Sequence, residues 1–482
     1  MSDLNLDYTL FIPEFVLAGL VVLIVALDLY VPRMRKMWLS YIAAAGLAAT
    51  AGISLAWVDK QSDFARIIAV DNYTTYFRVF FMATAAVVCL ASGKLVEDKL
   101  RHPGEYYALI ILSTIGAIGM AASRELMTAY LSLELLSFSL YVLVSYAKFD
   151  KRSNEAGLKY MLLGAFASAM FLYGLSLIYG VSGSTYYGEI AAALSAEGAN
   201  EFDFALLMGL VLVVAGLGFK VAAVPFHMWT PDAYEGAPVA VTAYLSTTSK
   251  AAGFALLLRL FSGAFDVVHD DWSWMIAGMA AATMLLGNLV ALQQRNIKRL
   301  MAYSSIGQVG YMLMGIAGLS QDTATALMFH LTGYMVSNMA LFIVIIVWVH
   351  MNDSEEIADF KGMRNRAPLL AGVLAGALFS LAGLPLFAGF FTKFILFQAA
   401  TNEGYLWLAV IGVVTSTISL YYYLQVMREV FISPADEGAE RLNVPLVMQG
   451  LAVALMAGVF YVGIYPRHLF EIADNAATFL FV

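Results

Sequence analysis

Residues 205–226 read ALLMGLVLVVAGLGFKVAAVPF, and residues 237–258 read APVAVTAYLSTTSKAAGFALLL. Each stretch is long enough to cross a bilayer, which takes about 20 apolar residues. Each holds a single charged residue, Lys220 in the first and Lys250 in the second. A lysine at the centre of a spanning helix costs roughly 2.5–3.5 kcal/mol on insertion scales, so a cation placed there points to an ion or proton pathway. Pro225 closely follows Lys220 and lacks a backbone donor, which breaks or kinks a helix. Freed backbone groups at that depth are tolerated where protein or a wet cavity covers them. The stretch therefore reads as a broken helix with a lysine beside the break.

The rest of the chain supports the same solvent. Of its 482 residues 61% are hydrophobic and 13% charged, with a mean hydropathy of +0.77, whereas a soluble domain is about 25% charged. An all-α polytopic membrane protein follows, because helices satisfy every backbone group within one segment. About fourteen spans are expected, at 10–30, 38–57, 74–92, 106–122, 125–147, 156–181, 205–226, 237–258, 272–293, 300–319, 323–349, 369–400, 405–430 and 444–465. The start, MSDLNLDYTL, is acidic and lacks a basic region before the first span, so no cleavable signal is expected.

Lys and Arg favour cytoplasmic loops, and their distribution tests the count. With both termini outside, eighteen of the 27 Lys and Arg fall on inner loops, among them Arg33, Arg101, Lys298 and Arg299. Six fall on the outer side or its edge, including Arg78, Arg124 and Arg259. One miscounted span would scramble this alternation.

The remaining cation within the spans is Lys393, in LAGLPLFAGFFTKFILFQ (381–398), the only charge between Arg366 and Glu403. Pro385 precedes it, so this is a second proline-broken helix with its own lysine. For all three lysines the alternative is a stem that leans out and leaves its amine among the headgroups. One acid answers them: Glu134, in LMTAYLSLELLSFSLYVLV (126–144). Unpaired and ionised it is as costly as a lysine, so pairing with Lys220 or another buried cation is expected. A carboxylate nearby favours the charged amine and dehydration the neutral one. A lysine held between those terms can exchange a proton, although a static ion pair is the other reading.

His330, in ATALMFHLTGYMVSNMALF (324–342), can relay a proton because its reference pKa lies near 6.5. A hydrogen-bonded structural histidine is the alternative. His227 follows the first break, and Asp232 and Glu235 read most simply as solvated charges. Tyr244 and the hydroxyls at 246–249 surround Lys250 and either hold water or bond back to their own helix. No phosphate-cradling glycine loop, nucleophilic triad or metal-ligand spacing appears. The single cysteine, Cys89, permits no internal disulfide, metal cluster or iron–sulfur site. A basic nucleic-acid footprint is absent as well.

Four segments bring a family into view: GFKVAAVPFHMWTPDAYEGAP (218–238), STTSKAAGF (246–254), QRNIKRLMAYSSIGQVGYMLMG (294–315) and GLPLFAGFFTKF (383–394). In order and spacing they resemble the antiporter-like membrane subunits of respiratory complex I, which are themselves similar to subunits of multi-subunit sodium/proton antiporters. The likeness is greatest to the subunit N branch, called subunit 2 in mitochondria. Lys393 stands where the M branch typically has glutamate, and the long lateral helix of the L branch is missing.

The resemblance implies two inverted five-helix repeats, with boundaries at 1–104, 105–262, 263–432 and 433–482. Glu134 and Lys220 would be the family's glutamate–lysine pair, Lys250 the central connecting lysine and Lys393 the residue facing the outer half-channel. The second repeat departs from the first by offering Gln308 where the first has Glu134. The implied function is a proton-translocating subunit of NADH:quinone oxidoreductase with no cofactor of its own. NADH, FMN, iron–sulfur clusters and quinone would sit on other subunits. Implied partners are an adjacent antiporter-like subunit, small membrane subunits and lipids, in a bacterial cytoplasmic membrane with both termini periplasmic. A cation/proton antiporter subunit and a purely scaffolding subunit remain as alternatives.

Overall fold

The computed structural model describes residues 7–31, 35–100, 102–196, 203–435 and 440–481. Arg33, Arg101 and residues 1–6 lie outside the described residues. Among those described, eleven helices are long and apolar enough to cross a membrane. The first six are α1 (Ile12–Tyr30), α2 (Met37–Ser54), α3 (Asn72–Lys99), α4 (Pro103–Ala122), α5 (Leu126–Val144) and α6 (Lys151–Ser182). The connection after α6 contains a short helix, α7 (Tyr187–Leu194).

The stretch quoted first becomes α8 (Asp203–Val221), a break, and α9 (Trp229–Gly236). Lys220 thus lies in the last turn of α8, and Pro225 lies in the break. The next apolar run, Val239–Ala291, covers 53 residues, about 80 Å at 1.5 Å per residue. That is more than twice the hydrocarbon thickness of about 30 Å, so it accommodates the eighth and ninth expected spans. It comprises α10 (Val239–Tyr244), a π turn over Leu245–Ser249, α11 (Lys250–Leu260), a second irregular stretch over Phe261–Val268, and α12 (His269–Ala291).

Then come α13 (Ile297–Gly318), α14 (Gln321–Asn352) and a short α15 (Met363–Arg366). The second broken helix is α16 (Pro368–Ala382) and α17 (Ala388–Asn402), followed by α18 (Leu406–Phe431) and α19 (Leu446–Ile464). A final amphipathic helix, α20 (Pro466–Ala477), was not foreseen; it packs against α3 and α14. The all-α reading has one small exception, a two-stranded hairpin in which β1 (Ser62–Phe64) pairs with β2 (Ile68–Val70).

The expected alternation of loops is visible in space. Leu100, Asp150, Glu235, Asn296 and Asp353, all from connections assigned to the lysine- and arginine-rich side, line one cavity on what is here termed the basic face. Arg66, Arg124, Tyr187, Gly263 and Phe481, from the other set, line a cavity on the opposite face.

Close helix approach rests on small residues, as is usual between membrane helices. A Cβ on Gly116 of α4 would meet the Leu136 nitrogen of α5 at 2.6 Å, and one on Gly287 of α12 would meet the Gly307 nitrogen of α13 at 2.5 Å. The second break is the tightest point. Gly383 has φ +87°, and a Cβ on Gly389 would lie 1.8 Å from the Ser380 carbonyl oxygen. The Gly389 N–H donates to Ser380 Oγ at 3.0 Å, and Ser337 Oγ of α14 lies 2.7 Å from the same hydroxyl.

Candidate functional site

The three lysines are 3, 1 and 4% exposed at Lys220, Lys250 and Lys393, and His330 is 2% exposed. None leans out to the surface, which removes the snorkelling alternative. Each amine is held by neutral oxygens, not by a carboxylate.

Lys220 Nζ donates to Ser137 Oγ at 2.9 Å. The direct ion pair expected between Glu134 and Lys220 is not formed. Ser137, three residues along α5 from Glu134 and so on the same side of that helix, takes the ammonium instead. Glu134 stays within electrostatic reach of Lys220 and of Tyr130 and Tyr141, while its Oε1 is buried without a hydrogen-bond partner. The stem of Lys220 crosses α11 at Gly253, where a Cβ would lie 3.4 Å from its Cγ and 2.6 Å from Val221 Cγ1. The absent side chain lets α8 approach the helix that carries Lys250.

Lys250 begins α11, directly after the π turn. Its Nζ donates to Ser305 Oγ of α13 and stands 5.5 Å from the ring centroid of Tyr234 of α9, a cation–π distance. Ser305 Oγ is 2.8 Å from Tyr334 Oη of α14 and 3.4 Å from Tyr234 Oη. The hydroxyls around Lys250 divide between the two readings. Ser246 and Thr247 bond back to the Ala243 carbonyl, whereas Thr248 Oγ1 and Ser249 Oγ are buried without partners. Tyr244 turns away to Ser113 and Thr114.

Lys393 Nζ donates to the Leu381 carbonyl at 2.7 Å and to Ser416 Oγ at 3.0 Å. It lies 4.8 Å from the ring centroid of Tyr311. Leu381 belongs to the last turn of α16, whose carbonyls have no partner in their own helix and form the negative end of the helix dipole. The break thus supplies the oxygen that holds the amine. Gln308 donates to the same Leu381 carbonyl at 3.2 Å. His330 joins this group: its Nδ1 lies 3.0 Å from Thr392 Oγ1, beside Lys393, and its Nε2 is buried without a partner. One turn along α14 from His330, Tyr334 reaches Ser305 and hence Lys250. Lys250, Ser305 and Tyr334 form one hydrogen-bonded group and His330 and Thr392 another; one helical step separates the tyrosine from the histidine, and Lys393 is next to Thr392 in the chain.

Four residues read as loop or edge charges prove to be paired. Arg78 is fully buried and donates from Nε to Glu14 Oε1 at 2.8 Å. Arg259 grips Asp71 through two bonds, 2.7 and 2.8 Å, and stacks 4.5 Å from the Tyr73 ring centroid. Lys298 is 2% exposed, with Glu355 Oε1 at 2.5 Å. Asp232, read as solvated, lies 3.0 Å from both Lys159 and Arg299. Burial works against its charge, but those two cations outweigh burial and hold the carboxyl below the usual range. Among the described residues no group of three or more His, Cys, Asp or Glu could hold a metal ion, and Cys89 is free and buried.

Comparison with known proteins gives a consistent result. Residues 123–419 match the family described as NADH:quinone oxidoreductase/Mrp antiporter, TM. The chain is 41% identical to the NADH-quinone oxidoreductase subunit N of Moorella thermoacetica over 469 residues, 97% of this chain and 98% of that relative. A chain of respiratory complex I from Thermus thermophilus is similar in structure, with a TM-score of 0.81 and 31% identity over 96% of this chain and 100% of that one. A chain of the Mrp complex from a Dietzia species shares the fold at a TM-score of 0.86 and 23% identity, over 99% of this chain and 98% of that one.

Proposed function

Because the chain belongs to the family of NADH-quinone oxidoreductase subunit N, we propose that its buried amines conduct protons across the membrane arm of that enzyme. The observation that carries this reading is the way the three amines are held. Three amines, almost without contact with solvent, are each held by a hydroxyl or carbonyl that can keep its hydrogen bond in either protonation state. A purely structural cation would be neutralised by a carboxylate, as Arg259 is by Asp71. An amine on neutral oxygens costs more to leave charged and is free to exchange its proton.

In this reading a change at a neighbouring subunit alters the field of Glu134 on Lys220, and the proton shifts to Lys250. It then passes through Ser305, Tyr334 and His330 to Lys393, which releases it on the opposite face. The basic face is cytoplasmic, both termini are periplasmic, and the membrane is that of a bacterium. Helices α4–α11 and α12–α18 form the two repeats. NADH, FMN, iron–sulfur clusters and quinone belong to other subunits, and an adjacent antiporter-like subunit, small membrane subunits and lipids surround this one. Positioned proton-transfer groups contribute about a hundredfold or more to rate. Lys220→Ala or Lys393→Ala should therefore cut NADH-driven proton uptake by membrane vesicles at least tenfold while the assembled complex still oxidises NADH with an artificial acceptor. Unchanged uptake would sink the reading. The antiporter alternative draws on the shared fold; sodium/proton exchange by the chain alone in liposomes would favour it.

A further inference from the structure

Near the connection that follows α2, on the face opposite the basic one, a groove opens along α3, and none of the groups on the proposed proton path lines it. We propose that this groove binds one acyl chain of a phospholipid from that leaflet, with the ester carbonyl of the lipid accepting a hydrogen bond from Thr75. The inference needs only that the chain spans a membrane and is independent of proton conduction.

The groove follows one stripe of α3. Asn72, Tyr76, Val79 and Ala83 line it, and their spacing puts them on a single face of the helix. They are the partly exposed positions in a stretch that is otherwise buried. From Asn72 to Ala83 the helix rises about 16 Å, the depth of one leaflet in a hydrocarbon core about 30 Å thick. Leu55 and Val58, just past α2, contribute one side of the groove, Leu469 and Ile472 of α20 another, and Thr332 and Met335 of α14 a third. Its polar end is marked by Asp59 and Asn72, which bond each other twice. The Asp59 N–H donates to Asn72 Oδ1 at 2.7 Å, and Asn72 Nδ2 donates to Asp59 Oδ1 at 3.0 Å.

The chemistry along the groove selects its occupant. Thr75 also lines it and is 3% exposed, and its Oγ1 is buried without a hydrogen-bond partner. It lies about 4.5 Å further in than Asn72, where the interfacial region of a bilayer gives way to hydrocarbon. Deeper polar groups are already satisfied: Tyr76 Oη donates to the Met328 carbonyl at 2.8 Å and lies 2.5 Å from Thr332 Oγ1. Beyond Thr75 the groove therefore offers only carbon and satisfied hydroxyls. That suits an acyl chain and not a file of water, since each water needs two to four polar partners. A helix of another subunit would also present carbon, but it spends its backbone carbonyls within itself and leaves the Thr75 hydroxyl unpartnered, a costly state for a buried donor. An ester carbonyl is a free acceptor at that depth.

The test reads lipid contact on the intact complex. The complex is reconstituted in vesicles of a dialkyl ether phospholipid holding a small fraction of a probe with the same headgroup and a diazirine at the end of one chain, supplied either as diester or as diether. After irradiation, adducts on the isolated chain are located by peptide mass. Adducts are expected at Val79, Ala83 and Met335. Normalised to all adducts on the complex, the diester probe should exceed the diether there by about threefold or more, as one ordinary hydrogen bond requires. Thr75→Val keeps the shape and breaks no side-chain bond within the protein, so it should abolish that preference while leaving the adducts. Ala83→Phe, which fills the groove, should remove the adducts from complex that still assembles on native gels; where it fails to assemble, Thr75→Val decides alone. A groove without adducts, a parent without diester preference, or a preference that survives Thr75→Val overturns the site.

Discussion

Lys220 and Lys393 both sit beside a broken helix, yet they are held differently. Lys220 has one described hydrogen bond, to Ser137; Lys393 has two, to Leu381 and Ser416. Leaving a buried donor unpartnered costs about 1–3 kcal/mol, so Ser137→Ala should impair proton uptake several-fold. Ser416→Ala, which leaves the Leu381 carbonyl in place, should have a smaller effect in the same vesicle assay. Equal effects would show that the oxygens do not set the behaviour of the amines. The amines were legible from sequence because a lone charge in an apolar run is costly and stands out. Their oxygen partners were not, since serines recur throughout the spans and only tertiary packing selects Ser137 and Ser305. The burial of Arg78, Arg259 and Lys298 was hidden for the converse reason: near the end of a span, a cation that reaches solvent and one that is sealed in look the same.

The breaks were legible as elements, because proline removes a donor wherever it falls. How each break is closed was not. At the second, Ser380 clasps α17 through Gly389, and a Cβ there would lie 1.8 Å from backbone. Gly389→Ala must therefore push α16 and α17 apart, at a cost of about 3 kcal/mol or more for an overpacked site that cannot yield. The expected result is loss of assembled complex on native gels, whereas Gly278→Ala, with nothing within 4 Å, should assemble normally. The π turn before Lys250, the hairpin and α7 left no pattern in sequence because each is shorter than the window of about 11–18 residues over which a helical period is read. The amphipathic α20 does carry such a pattern, hidden by the apolar spans before it.

Across the whole molecule, the alternation of charged loops foretold which connections share a face, since that assignment depends only on counting spans. It did not foretell what ties the first three helices to the remainder. One sealed ion pair contributes, Arg259–Asp71 between α11 and the start of α3, whereas Arg78–Glu14 lies within the three-helix segment. Removing one partner of a buried pair typically costs 3–5 kcal/mol, so Asp71→Ala should lower the yield of assembled complex and its melting temperature. Uptake per assembled complex should remain near normal; a specific loss of uptake would mean that the pair takes part in conduction.

The shared Leu381 carbonyl has one more implication. An amine that has given up its proton keeps two N–H groups, enough to hold both the Leu381 carbonyl and the Ser416 hydroxyl. Lys393 can therefore change occupancy while every heavy atom stays seated, and transport through this end of the molecule asks for a stationary framework, not a swinging arm.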